Sequence, residues 1–326
     1  MYYITLVLLF VVSACTKKDE FDIFSPDFKV YVLLPSEGLG DRSFVDAIYE
    51  GVEAAKIDFK FSVDYIIPED FSKGEVWINN IGDGSIDKES LIIVAGAQYT
   101  QAIESHKAGF DNHKVLFLGG KAGEANGLAS ITYRTYGASY IGGYLSARLK
   151  PNCRAAVIAA FDAPFLKEYQ QGFTQGVIDA GGTVNPPAFI SDDFSGFEMP
   201  DSAYRLTNSL LPENDLIFAM ATGSNLGIIN AARNYEEQRY VIGIDADQSW
   251  MGFTVVTGSV IKLFGKDIYD YINQFSRGNF SEGVFERTMD DDKTTFLINP
   301  MVLGDIEIPK SLIETAIEKE NEYHIK

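Results

Sequence analysis

Residues 36–44 read SEGLGDRSF and follow directly on an apolar run that ends at Pro35. A strand that opens into a glycine turn and a helix N-terminus makes an anion site. The spacing here is neither G-x-G-x-x-G nor G-x-x-x-x-G-K-[ST]. Asp41 also stands where a phosphate loop needs N–H donors. The turn therefore suits a neutral, hydroxyl-rich or aromatic ligand, with Gly38 and Gly40 letting the backbone bend close to it and Phe44 at the helix mouth. The alternative is an ordinary βα turn, with Ser43 as N-cap and Phe44 in the core. Carboxylates and aromatics recur after the other apolar runs: Tyr99 in AQYT, Asp162 and Tyr169 in DAPFLKEY, Asn225 in TGSN, and Asp245, Asp247 and Trp250 in DADQSW. Carboxylates accept pairs of hydroxyl hydrogens, and aromatic faces stack on planar groups.

The elements that must position these residues alternate regularly from residue 28 to about 247. FKVYVLLP, FKFSVDYIIP, LIIVAGAQ, KVLFLGG and LASITY read as strands. SFVDAIYEGVEAAK, KGEVWINNIG, TQAIESHKAGF and YGASYIGGYLSARL read as helices, the last with small residues on one face. The pattern restarts near residue 154 with AAVIAAF, PFLKEYQQGFTQGVIDAGG, PAFI, SAYRLTNSLLPE, DLIFAMA, NLGIINAARNYEE and YVIGIDAD. Such alternation predicts parallel sheets with right-handed crossovers, here as two similar α/β domains. Ligands bind beyond the C-terminal strand ends of such sheets, so two facing domains would line one aromatic and carboxylate cleft. After residue 254 the rhythm loosens into a strand (TVVTGSVIK), a helix (FGKDIYDYINQFSRG), a strand (TTFLIN) and a last helix (PKSLIETAIEKE).

A net charge of −19 over 326 residues excludes a nucleic-acid partner, because nothing offsets phosphate repulsion. The apolar stretch from Ile4 to Val12 is far too short to span a bilayer, which takes roughly 20 residues. It fits a signal-peptide core. VSAC after it resembles a bacterial lipobox, which makes residues 1–14 the signal and Cys15 the lipidated mature N-terminus. Residues 15–27 then form a tether. Cys153 is left without a disulfide partner and is expected to be an inert buried thiol. His106, His113 and His324 are scattered. No metal and no cofactor is expected.

GLGDRSFVDAIYEGVEAA, LIIVAGAQYTQAI, SITYRTYGASYIGGYLSARL, EYQQGFTQGV, ATGSNLGIINAARN and YVIGIDADQ, in this order, resemble successive signatures of the basic membrane protein family. These are PnrA-like bacterial lipoproteins, purine nucleoside receptors of an ABC importer. The resemblance implies a type I periplasmic-binding fold, with two parallel-sheet lobes joined by a three-segment hinge. The expected first lobe is residues 28–147 with 250–290, and the second 148–249 with 291–326. It also implies a purine stacked between Phe44 and Tyr169. Asp245 and Lys262 would hold ribose hydroxyls, and Gly223 would let the backbone approach the sugar. Asp41 and Tyr99 complete the expected ligand set. The departures lie on the base side: Val45, Gly119 and Pro35 stand where the family carries Asn, Asp and Asp.

The expected function is an extracytoplasmic, lipid-anchored solute receptor of the bacterial cell envelope, binding a nucleoside or a related hydroxyl-rich molecule. Its partner would be an ABC transporter permease. A periplasmic nucleoside or glycoside hydrolase using Asp162, Asp245 or Asp247 is an alternative. A sensory lipoprotein without a transporter is another.

Overall fold

The computed structural model describes residues 25–83, 86 and 89–325. The signal peptide, Cys15 and most of the tether lie outside the described residues.

Five strands come first: β1 (Phe28–Leu33), β2 (Phe61–Ile66), β3 (Ser90–Ala95), β4 (Lys114–Leu118) and β5 (Leu128–Tyr133). Six follow: β6 (Arg154–Ala159), β7 (Thr183–Val184), β8 (Ala188–Phe189), β9 (Leu216–Met220), β10 (Tyr240–Asp245) and β11 (Val256–Lys262). The last two are β12 (Gly283–Arg287) and β13 (Thr294–Ile298). They form a six-stranded sheet in the order β12-β5-β4-β3-β1-β2 and a seven-stranded sheet, β13-β11-β10-β9-β6-β7, with β8 paired to β6. Among the described residues every pairing is parallel except β11 with β13. Strands β3 and β9 are buried along their whole length, and both sequences are apolar runs apart from Ser90 at the start of β3. A parallel sheet covered by helices on both faces demands that pattern.

The chain passes between the lobes at residues 134–135, at Leu263 and at 288–293. Two segments lie elsewhere than the expected boundaries put them. The helix Tyr136–Ala147 packs on Lys167–Asp179 in the core of the second lobe, not the first. A Cβ at Gly172 or Gly176 would overlap the carbonyl of Tyr136 or Tyr140, and one at Gly143 would lie 2.5 Å from the Phe173 carbonyl. The small residues of both helices thus serve helix–helix contact within one lobe. Likewise β11 sits between β10 and β13 in the second sheet, so the first lobe resumes only at Phe264. There Gly51 faces Gly265, and a Cβ at Gly51 would lie 2.6 Å from the Gly265 Cα.

Strand β12 has no counterpart in the expected elements. It is a five-residue, mostly half-buried strand at a sheet edge, with too little apolar alternation to register. Cys153 is buried, as expected, and burial pushes its thiol up to about 12.

Candidate functional site

The loop between β1 and the helix Phe44–Ala55 is fixed by two aspartates. The Asp41 carboxylate accepts the backbone N–H groups of Ser43, Val45 and Asp46 at 2.9, 2.9 and 3.1 Å. Asp46 reaches back to accept those of Gly40 and Arg42, both at 2.8 Å. Asp41, rather than Ser43, therefore satisfies the helix's orphan donors. Burial pushes the Asp41 carboxyl up to about 6, against the pull of those N–H groups. The Ser43 hydroxyl instead donates to the Ile244 carbonyl of the second lobe at 3.0 Å. Gly38 and Gly40 have φ of +66° and +102°. Neither lines the cavity described below, so the loop needs them for backbone conformation and not for approach to a ligand.

On the second lobe, Asp245 ends β10 with φ +68°, and the Ala246 N–H donates to the Ile244 carbonyl at 2.8 Å. This is a γ-turn, a strained geometry that aims the Asp245 side chain away from the strand. Its Oδ1 accepts the Tyr169 hydroxyl at 2.7 Å and pairs with Lys262 Nζ at 2.8 Å. Asp245 is buried, and the Lys262 side chain is 14% exposed. The ammonium lies 5.9, 5.3 and 5.1 Å from the ring centroids of Phe44, Tyr169 and Phe264, within cation–π range. Burial, with Asp245 beside it, holds the Tyr169 phenol well above its ordinary range, so it remains a neutral donor. Phe44 packs edge-on against Phe264 at 5.0 Å between centroids and is half-buried.

These residues share a cavity of about 670 Å³ between the lobes. Of the expected ligand set it brings together Asp41, Phe44, Tyr169, Asp245 and Lys262. Two expected residues do not line it. Tyr99 is fully buried in the first lobe, stacked on Phe71, with its hydroxyl donating to the Leu34 carbonyl at 3.0 Å. A Cβ at Gly223 would meet the Phe197 carbonyl at 3.0 Å and the Asp41 Cα at 3.6 Å, so this glycine serves contact between the lobes. Its neighbour Thr222 is the lining residue.

The other cleft candidates have structural roles. Asn225 is buried and bonded to Ala221 N, Ala219 O and Gln248 Oε1. Asp247 accepts the Ser249 N–H at 2.9 Å, and Asp162 is exposed and paired with Lys167. Neither aspartate lines the cavity, so the carboxylates named for hydrolysis are not assembled there. Trp250 is 52% exposed and lies under the Arg42 guanidinium of the other lobe.

Sequence reasoning missed several wall residues. Phe165, Phe194 and Phe197 line the cavity, and together with Phe161 they form a cluster with centroids 4.8–6.1 Å apart. The strand-end rule points to them, because they lie in the segments after β6 and β8. Glu37 also lines the cavity; it lay inside the SEGLGDRSF turn, where attention went to Asp41.

No helix among the described residues is long and apolar enough to cross a membrane. The sequence profile of the family Bmp, described as ABC transporter substrate-binding protein PnrA-like, matches residues 28–314. The chain is similar to Basic membrane protein D of Borreliella burgdorferi, with 22% identity over 90% of this chain and 82% of that one. It is also similar to a CD4+ T-cell-stimulating antigen of Listeria innocua, with 24% identity over 86% and 83%. A solute-binding protein of an ABC transporter system from Aeropyrum pernix K1 superposes with a TM-score of 0.75 at 17% identity, over 91% of this chain and 86% of that one. Such structural likeness bears out the expected fold, type I periplasmic-binding, with two sheets and three crossings.

Proposed function

The chain belongs to the Bmp family of PnrA-like ABC transporter substrate-binding proteins, and on that premise we propose that its interlobe cavity takes a nucleoside for delivery to an importer permease. The observation that carries this reading is the Asp245–Lys262–Tyr169 cluster beside the Phe44 ring in one cavity. A carboxylate and an ammonium 2.8 Å apart offer an acceptor and a donor to vicinal hydroxyls. Phe44 offers a face to a planar base, with Tyr169 as its partner from the other lobe. The cavity sits between two lobes joined by short crossings, the arrangement in which hinge closure around a ligand is expected.

Titration calorimetry with ribonucleosides and their 2-deoxy forms tests the reading. Wild type should bind ribonucleosides more tightly than the 2-deoxy forms. Stacking on an aromatic side chain is worth roughly 1–3 kcal/mol per base. Phe44→Ala should therefore weaken binding by about one to two decades. Wild-type affinity for Phe44→Ala, or no binding of any nucleoside to wild type, sinks the proposal.

The protein would be held at the membrane surface through lipid on Cys15, the cysteine of VSAC. Several acyl chains anchor stably where one is marginal. Cys15→Ala should move the protein from the membrane to the soluble fraction of expressing cells. Retention equal to wild type would show the lipobox reading to be wrong.

A further inference from the structure

Five carboxyl residues line the cavity: Glu37, Asp41, Glu168, Asp245 and Glu286. Four have donors within the protein. Asp41 takes three backbone N–H groups. Glu168 takes those of Thr135 and Tyr136 and pairs with His324. Asp245 holds Lys262 and Tyr169. Glu286 pairs with Arg134 and Lys121. Glu37 differs. Its carboxylate takes a hydrogen bond from its own main chain, and its Oε2 is buried with no partner. A buried acceptor without a donor is costly, so such an atom calls for an explanation.

Glu37 occupies the third position of a tight turn closed by the Gly38 N–H on the Pro35 carbonyl at 3.1 Å. The turn places it in the same loop as Phe44, on the first-lobe side of the cavity. Burial, with Glu198 and Asp41 nearby, pushes its carboxyl up to about 7. No cation is among its neighbours in the salt bridges of the described residues. Val45 and Gly119, which also line the cavity, offer a planar ligand no polar side-chain atom.

We propose that Glu37 is the specificity-determining residue of the cavity, its carboxylate accepting paired N–H groups from the edge of the ligand's planar ring. This rests on the nucleoside reading above. A carboxylate has acceptors only. It matches an edge with two adjacent donors, the ring N–H and exocyclic amine of guanine. Hypoxanthine presents the ring N–H alone. Adenine pairs its amine with a ring acceptor, which would face a carboxylate oxygen. The expected order is therefore guanosine, then inosine, then adenosine.

The test is calorimetry at pH 8, with the carboxylate mostly ionised, on wild type, Glu37→Gln and Glu37→Ala, against those three nucleosides. Thermal unfolding of each variant checks that it is folded. Hydrogen bonds to a charged group are strong, so both variants should lose about one to two decades of guanosine affinity. Adenosine affinity should be unchanged or improved in Glu37→Gln, whose amide can pair a donor and an acceptor. Equal losses for all three nucleosides, or none, would overturn the assignment while leaving the nucleoside reading intact. Wild type that binds none of the three but binds a pyrimidine nucleoside overturns the assignment alone, and wild type that binds no nucleoside removes both.

Discussion

Asp245→Ala should lose two decades or more of ligand affinity and should also destabilise the fold. The Asp245 carboxylate is the joint of the cluster, at 2.8 Å from Lys262 Nζ and 2.7 Å from the Tyr169 hydroxyl. Deleting it leaves an ammonium that is 14% exposed without its carboxylate, and a buried phenol without its acceptor. Breaking a buried ion pair costs about 3–5 kcal/mol. The three rings around Lys262 offset part of that through cation–π attraction. Alanine is also poorly suited to the positive φ of this position, where aspartate and asparagine are tolerated. The affinity loss follows from hydrogen bonds to a charged group, worth about 1.5–3 kcal/mol each, at about 1.4 kcal/mol per decade. Asp245→Asn keeps an acceptor for Tyr169 and the tolerance for positive φ, so it should retain more stability than affinity. The double variant Asp245→Ala with Lys262→Met should recover part of the stability but none of the binding, because it removes the unpaired charge along with its partner. Urea unfolding and calorimetry on the same preparations separate the two effects. Wild-type affinity in Asp245→Ala would mean that the carboxylate is structural and does not touch the ligand.

The alternation of apolar runs with helical patterns made the two-lobe architecture legible, because buried parallel strands must be apolar on both faces. The assignment of Tyr136–Ala147 to a lobe was not legible. That helix follows the last core strand of the first lobe in sequence, and its partner Lys167–Asp179 comes some 30 residues later. Their shared glycines become informative only when the two helices are seen touching. The strand-end rule found Phe44, Tyr169 and Asp245 because each follows a recognisable apolar run. It misplaced Tyr99 for the same reason: the residue does follow β3, but its ring turns inward onto Phe71. A side chain's direction at the first turn of a helix is set by packing, which a linear reading does not contain. Glu37 was hidden differently. Both carboxylates of the turn, Glu37 and Asp41, line the cavity, but Asp41 is taken up by the helix N–H groups while Glu37 Oε2 has no donor, and residue type alone cannot divide those roles between them.

The hinge itself has a comparable joint, and its removal should produce the other large effect. Asp267 lies in the helix Phe264–Ser276, and its side chain is fully buried. Its Oδ1 pairs with Arg287 at 2.8 Å and Lys293 at 2.9 Å, and its Oδ2 accepts the Tyr133 hydroxyl at 2.8 Å. Tyr133 ends β5 just before the first crossing, and Asp267 follows the second crossing by four residues. Arg287 and Lys293 bracket the third. One carboxylate thus joins the three segments on which any lobe motion must pivot. Burial, with Asp267 beside it, holds the Tyr133 phenol well above its ordinary range, so this donor stays neutral. Asp267→Ala leaves two cations side by side, 21% and 10% exposed, with only the half-exposed Asp270 carboxylate, 3.7 Å from Lys293, still paired with either of them. The expected cost is about 3–5 kcal/mol, a large share of the roughly 5–15 kcal/mol that holds a typical domain folded. The urea midpoint should fall accordingly. In the folded population without ligand, small-angle scattering should show a larger radius of gyration, because the crossings no longer share an anchor. Asp267→Asn keeps an acceptor for Tyr133 but loses the charge, and should fall between the two. A stable Asp267→Ala variant with unchanged scattering would mean that the crossings are held by the packing of Phe264, Ile268 and Tyr271, and that the ion cluster adds little to it.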